Sequence, residues 1–267
     1  MSSEPVIRVA FFLGVFLVVA TWEAMAPRRR RKLSRWTRWP ANLGIVALNT
    51  ALLRFLLPTT AVAFAILGEQ RGWGLLNNLD WPHWLAIALA ILALDLAIYL
   101  QHVVFHKVPW LWRLHRVHHS DVSFDTTTAI RFHPIEIVLS MLYKILLVIG
   151  VGVTPLTVVV FEAVLNACAQ FNHGNVRLPA AAERICRWVL ITPDLHRIHH
   201  STNRSETDSN FGFSVPWWDR CFRTYCPAPK LGQSSMEIGL QDQRDSSQLG
   251  LLSLLRMPFS HLRAPRD

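Results

Sequence analysis

Five apolar stretches dominate this chain, at approximately residues 5–26, 41–67, 82–104, 135–152 and 154–171. A hydrocarbon core of about 30 Å is crossed by roughly 20 helical residues, so each stretch is long enough, or nearly so, to span a bilayer. Backbone inside lipid must satisfy its own hydrogen bonds, which makes helices the fold for such runs. The expectation is an all-α, integral-membrane helical bundle of four to five membrane helices. The last two runs are parted only by a turn around Gly150, Gly152 and Pro155, and pattern alone leaves open whether that hairpin spans fully or re-enters from one side.

The net charge of +9 is not spread as a nucleic-acid footprint would be. Arg28, Arg29, Arg30, Arg31, Lys32, Arg35 and Arg38 crowd the segment after the first apolar run. The loop near 68–81 carries only Arg71, and the turn near 150–155 has no basic residue. This alternation is the positive-inside pattern. It puts the amino terminus outside and loops 27–40 and 105–134, with everything after about 172, in the cytoplasm. The bilayer is therefore the expected partner, and nucleic acid is not. The basic residues follow the first run, and no small-residue cleavage pattern precedes Arg28, so that run reads as a retained anchor. Tryptophans gather near the expected helix ends (Trp22, Trp36, Trp39, Trp73, Trp81, Trp84, Trp110 and Trp112), where amphipathic rings favour the interface. Cys168, Cys186, Cys221 and Cys226 form no C-x-x-C pair, which disfavours a disulfide framework or a thiolate zinc site. Arginine outnumbers lysine and alanine is abundant, pointing to a GC-rich bacterium and its inner (cytoplasmic) membrane.

Residues 114–120 read Leu-His-Arg-Val-His-His-Ser and residues 195–201 read Leu-His-Arg-Ile-His-His-Ser. Each copy sets three histidines at i, i+3 and i+4, neighbours on a helix surface. His102 and His106 form a further i, i+4 pair. Pro109 and Pro193 stand shortly before the two phrases, as first-turn prolines do, so each phrase is expected to open a short helix. The topology places all three clusters on one side, in a cytoplasmic helical cap. Neutral imidazole suits zinc, copper, iron and nickel. Eight imidazoles exceed what one ion takes, which implies a histidine-rich dimetal site with the two triplets supplying most of each half. His83 and His261 are isolated and read as ordinary surface histidines.

Two polar stripes lead toward this cap: Asp95, Tyr99, His102 and His106 on the third run, and Glu162, Asn166, Gln170 and His173 on the fifth. Polar groups within lipid face protein or a wet cavity. The stripes are expected to aim at one shared site, or to serve interhelical hydrogen bonds, with Arg54 and Lys144 snorkelling or pairing with Glu162. Metal-bound imidazoles donate their second N–H to a carboxylate or carbonyl. Asp95 and Asp121 are the preferred candidates for that supporting role, with Asn203 and Asn210 weaker ones.

The sequence contains no H-E-x-x-H, E-x-x-H, G-x-G-x-x-G, P-loop or serine nucleophile elbow. This disfavours zincin, carboxylate-bridged di-iron, nucleotide and serine-hydrolase chemistry. A histidine-rich dimetal site at a membrane surface suits iron and dioxygen acting on an unactivated C–H bond of a lipid. The rivals are a non-enzymatic membrane metal carrier or sensor and a bis-histidine haem protein.

His102-x-x-x-His106, His115-x-x-His118-His119 and His196-x-x-His199-His200 resemble, in type, order and spacing, the three histidine boxes of the fatty acid hydroxylase/sterol desaturase superfamily. Arg131-Phe-His133-Pro134-x-Glu136, Asn172-His173-x-Asn175, Phe211-Gly212 and Trp218-Asp219-Arg220 are similar to its secondary marks. The resemblance covers about residues 82–228. It implies a non-haem di-iron membrane oxidoreductase, with two Fe ions and O2 as co-substrate, that hydroxylates, desaturates or oxidatively cleaves a membrane lipid. It further implies that the eight box histidines are ligands, that His173 is a ninth, and that His133 is a ligand or a supporting group. Some relatives carry a paired histidine where this chain has Ala169 and Gln170, so water, Gln170 or His133 would fill in. The organisation expected is anchor helices over 1–80, a catalytic domain over 81–228 and a cytoplasmic tail over 229–267. Electrons require a separate electron-donor protein, for which Arg113, Arg116, Arg197 and Arg204 offer a basic docking face.

Overall fold

The computed structural model describes residues 4–57 and 60–260; His261 and the end of the tail lie outside the described residues. Helices follow in the order α1 (Glu4–Met25), α2 (Arg35–Leu56), α3 (Ala61–Arg71), α4 (His83–Lys107), α5 (Pro109–His119), α6 (Pro134–Val151) and α7 (Pro155–Asn172). Short ones come after: α8 (Ala180–Cys186), α9 (Pro193–His199), α10 (Arg204–Thr207), α11 (Trp217–Cys221), α12 (Gly232–Ser235) and α13 (Leu251–Arg256). Among the described residues there is no β-strand, only the isolated bridges Pro27–Val176 and Ser201–Ile238. Five segments are long and apolar enough to cross a membrane: Val6–Met25, one within Arg35–Asn78, His83–Lys107, Pro134–Val151 and Pro155–Asn172. The chain is an all-helical, multi-pass membrane bundle.

Local chemistry sets the boundaries. Pro109, Pro134, Pro155 and Pro193 each occupy a first turn, where the missing N–H has no intrahelical partner to lose. Ser34, Thr60, Thr154 and Thr192 cap α2, α3, α7 and α9 through their hydroxyls. The apolar run expected over 41–67 is two helices instead of one. Leu57 departs from helical geometry, and Thr60 starts α3 by accepting from Ala63 N. With 11 residues, α3 is too short to span.

The bundle core joins α3, α4, α6 and α7 through Ala61, Ala65, Ala90, Leu94, Ile145, Val148, Val158 and Phe161. Outward faces stay apolar, as lipid-facing surface does; Ile7, Leu17, Val18 and Leu146 are all more than half exposed. At one end Gly152 (φ 79°) closes α6, and Leu75 N donates to Gly150 O at 3.0 Å. A Cβ on Gly74 would come within 2.3 Å of Gly152 N, so that approach requires glycine.

At the other end the basic segment after α1 is stitched to the histidine-bearing loops. Arg28 N donates to Asn175 O (2.9 Å), and Leu33 N donates to Ser123 Oγ (2.9 Å). Glu23 Oε1 accepts from Thr126 N and Asn175 N (2.8 and 2.9 Å). The basic loop and all three histidine clusters therefore share one end of the bundle. The tail covers that end, with Leu254 and Met257 packing on Val117, and Met236 and Ile238 on Phe124.

Candidate metal centre

Nine histidines converge at this end, and all are at most 4 % exposed. Their ring nitrogens form two groups, each with its candidate atoms within 4.8 Å of one another: His102, His106, His115, His119 and His199, and His118, His173, His196 and His200. The triplets do not make one half each. In a helix, i and i+4 lie about 40° apart, while i+3 falls to the other side of i. So His115 and His119 turn to the first group and His118 to the second. The second phrase does the reverse, giving His196 and His200 to the second group and His199 to the first.

Several imidazoles are fixed through Nδ1, which leaves Nε2 facing inward. Nδ1–H of His102 donates to Phe211 O (2.7 Å), that of His173 to Ala169 O (2.7 Å), and that of His199 to Ser209 O (2.8 Å). His115 Nδ1–H donates to Glu136 Oε1 at 2.6 Å; His106 Nδ1 comes only to 3.5 Å from Asp208 Oδ1, with no hydrogen bond between them. This is the way a protein orients imidazole ligands. The inward side is the reverse. His119 Nε2, His199 Nε2 and both nitrogens of His106 and His200 are buried with no protein partner. Buried polar atoms left so are strongly disfavoured without a ligand. Nε2 of His102 faces Nε2 of His115 at 3.1 Å, and Nε2 of His173 faces those of His118 and His196 at 3.1 Å each. Metal–imidazole bonds of about 2.1 Å put neighbouring nitrogens about 3.0–3.4 Å apart, so the donor set fits one ion per group.

Burial pushes the His115 and His173 imidazoles down to about 3. Burial first, then neighbouring imidazoles, holds His118, His119, His196 and His200 well below the ordinary histidine range. Metal binds the neutral form, and this is the form present at pH 7. In metal-free protein the unfolded chain takes up these protons first, so stability is full above about pH 6.5 and declines as pH falls toward about 3. Thermal unfolding of chelator-treated protein should show a lower midpoint at pH 5 than at pH 7.5; equal midpoints would contradict this.

The residues expected to support the ligands do other work. Asp121 accepts from Arg38 Nε and Nη2 (2.7 and 2.6 Å), and Asp125 accepts from Arg38 Nη1 (2.8 Å). Asp95 accepts from Trp218 Nε1 (2.8 Å). Asn203 caps α10, and Asn210 donates to Leu195 O and Cys226 O. His133 caps α6 and meets Leu255 O, outside both groups. Gln170 is buried, donates through Nε2 to Phe12 O (3.5 Å), and leaves Oε1 without a protein partner. In place of these, Glu136 and carbonyls of Ala169, Ser209 and Phe211 hold the rings. Glu136 stands two residues past Pro134 in a stretch that resembles the family's secondary marks; Asp208 has no comparable signal. Glu136→Gln is expected to weaken metal retention about 10–100-fold. Dialysis against graded chelator would measure it.

The polar stripe on α4 is explained by one segment. Residues 208–224 meet it at each level: Asp95 with Trp218, Tyr99 with Thr224 (2.9 Å), His102 with Phe211 O, and His106 with Asp208. Asp219 accepts from Phe211 N and Gly212 N (2.8 and 2.9 Å), which sets the carbonyl that orients His102. A Cβ on Gly212 would lie 2.6 Å from Val215 O, so glycine is required. The α7 stripe divides: Glu162 pairs with Lys144 (2.7 Å) and with Arg8, Asn166 donates to Glu162 O (2.7 Å) within the helix, and His173 at its end joins the second histidine group. The expected basic docking face also changes. Arg116 and Arg197 are buried in ion pairs with Asp242 and Asp194, Arg113 holds Pro258 O and Ser260 O, and of the four only Arg204 is exposed.

A cavity of about 160 Å³ opens beside the first group, between α4, α6 and α7. His102, His115, Phe105, Phe132, Ile137, Leu165 and Phe213 line it, and Glu136, Ser140 and Lys144 run down one face of α6 along it. An apolar cavity of about 150 Å³ takes a benzene-sized group, so this one accommodates a ring or a short run of methylenes.

A membrane bundle with two buried histidine groups that could each hold a metal ion, the first of them beside an apolar cavity, defines a class of histidine-rich membrane proteins. The fatty acid hydroxylase family model matches residues 87–224, and the chain belongs to that family. It is 28% identical over 182 residues to ornithine lipid hydroxylase OlsE of Rhizobium tropici, covering 68% of this chain and 52% of that protein. It is 29% identical to alkylglycerol monooxygenase of Xenopus tropicalis (55% and 31% covered) and 26% identical to cholesterol 25-hydroxylase of Rattus norvegicus (54% and 47%). The match thus spans about half or less of each relative's length. No solved structure matches the chain.

Proposed function

We propose that this chain is a membrane-bound non-haem di-iron oxidoreductase that uses O2 and external electrons to hydroxylate, desaturate or oxidatively cleave a lipid. The observation that carries this reading is the pair of buried histidine groups, the first of which adjoins an apolar cavity between membrane helices. The five- and four-histidine groups would each hold one iron, His173 included. When bound, iron supplies the dioxygen chemistry that reaches an unactivated C–H bond. The chain's own residues do the rest. Phe105, Ile137, Leu165 and Phe213 receive the apolar part of the lipid and exclude water. Glu136 and the Phe211, Ala169 and Ser209 carbonyls keep the Nδ1 protons in place, so that Nε2 remains a lone-pair donor.

Hydroxylation balances as one O2, two electrons and two protons giving alcohol and water, so a separate electron-donor protein is required. The relatives' names specify an ornithine lipid, an alkylglycerol and cholesterol, which supports a lipid as the substrate class. The clustered arginines after α1 support a cytoplasmic orientation of the centre, in a bacterial inner membrane. Residues 1–80 would serve as anchor, 81–228 as catalytic domain and 229–267 as tail. Lipid extracts from cells with and without the gene, compared by mass spectrometry, should differ by a lipid that has gained one oxygen or lost two hydrogens. Unchanged lipids, together with zinc as the sole metal in protein from its native membrane, would refute the proposal.

A further inference from the structure

A second cavity, of about 420 Å³, shares no lining residue with the one beside the histidines. It lies where the membrane helices end: Arg28 is three residues past α1 and Arg177 five past α7. Arg184, Arg187 and Arg220 complete a set of five guanidiniums on its wall, against the carboxylates of Glu183 and Asp194. Both carboxylates are already engaged. Asp194 takes Arg28 (3.1 Å) and Arg197 (2.5 Å), the latter from outside the cavity, and Glu183 takes Arg187 (2.6 Å) and the Thr192 hydroxyl (2.6 Å).

Arg177 and Arg184 have no hydrogen-bond or ion-pair partner among the described residues, and Arg220 Nε is buried without one. The Arg220 guanidinium is held between the Trp188 and Tyr225 rings, at 4.3 and 4.0 Å from their centroids. Beside the cavity, Ile185, Trp188, Val189 and Trp217 form an exposed apolar ledge, fixed where Trp217 Nε1 donates to Trp188 O (2.7 Å).

We infer that this cavity binds the phosphate of an anionic bilayer lipid, with the ledge lying in the acyl boundary beneath it. Guanidinium forks match phosphate oxygens in pairs. Converging cations with too few carboxylates repel one another, and a phosphate relieves that repulsion. Tryptophan and branched apolar side chains beside a basic pocket suit the bilayer interface. A positive-inside bias explains basic residues on this side of the bundle, but it does not make five of them face one cavity.

The test uses the full chain in neutral detergent, with unfolding followed as dihexanoyl phosphatidylglycerol is added. The midpoint should rise to saturation. In Arg177→Gln/Arg184→Gln the half-saturating concentration should rise about tenfold or more, as expected for lost charge-assisted hydrogen bonds. The charge-matched control Arg30→Gln/Lys32→Gln, on the same end but outside the cavity, should stay within about twofold. Should the double variant fail to fold, Arg184→Gln alone serves, because that side chain is exposed and unpaired. An equal rise with dihexanoyl phosphatidylcholine, or an unchanged double variant, would overturn the inference. Saturation by inorganic phosphate at the same concentration would make it a free-anion site and overturn the lipid assignment. The readout is independent of iron and of turnover, so it can fail while the proposed enzyme function stands.

Discussion

Replacing His200 with alanine is expected to leave about one metal ion per chain where the wild type holds about two, and to lower lipid turnover by at least about 10³-fold, because paired metals act as a unit. His200 belongs to the second group, and neither of its nitrogens has a protein partner, so the substitution removes a ligand without breaking a hydrogen bond. His106→Ala should give the same metal count by vacating the first group instead, with the same loss of turnover. Elemental analysis of protein purified from its native membrane reads the first quantity, and product formation from extracted lipid reads the second. Two ions retained at full turnover in either variant would remove that residue from the ligand set.

The largest effect on stability is expected at Arg38, far from any ligand role. Its side chain is fully buried and ties α2 to Asp121 and Asp125, which follow the first repeated phrase. Although burial alone would raise the Asp121 carboxyl, Arg38 and Arg131 hold it well below the usual carboxylate range. Arg38→Ala would strand two buried carboxylates, at a cost of about 3–5 kcal/mol. Removing all four charges in Arg38→Met/Arg131→Met/Asp121→Leu/Asp125→Leu, since buried Arg131 also lies 3.9 Å from Asp121, should recover much of that loss, because a buried charge network contributes little beyond the desolvation it must offset. Denaturant unfolding in detergent would separate the two cases. Equal destabilisation of single and quadruple variants would show that the hydrogen bonds to Thr127, Thr128 and Ser123 outweigh the charges.

Much of this was legible in the chain itself. Apolar length marks the membrane helices, and the prolines and hydroxyl caps mark where α5, α7 and α9 begin. Charge asymmetry correctly puts the arginine-rich segment and the three histidine clusters at one end. What failed was the choice of partners. Asp95 and Asp121 have the right chemistry to support an imidazole, and helical period places Asp95 on the right face. But Asp95 sits about 10 Å of helix rise from His102, and Trp218 reaches it first. Asp121 is taken by Arg38, 83 residues away. Glu136 was visible as part of a motif, yet nothing in its spacing named His115 as its partner. That α2 ends at Leu56 and α3 begins at Ala61 was hidden because the residues on either side are equally apolar.

The sequence by itself determined the elements and the donor inventory, because hydrophobic length and a fixed turn of about 100° per residue are local properties of the chain. Only the tertiary structure decided how nine imidazoles divide into groups of five and four. That division depends on how α4, α5 and α9 cross, and on the 208–224 segment that turns His102, His106 and His199. Two copies of one phrase therefore feed both groups in opposite proportion. The rotation along each helix is the same in both copies, while the surface each helix packs against is not.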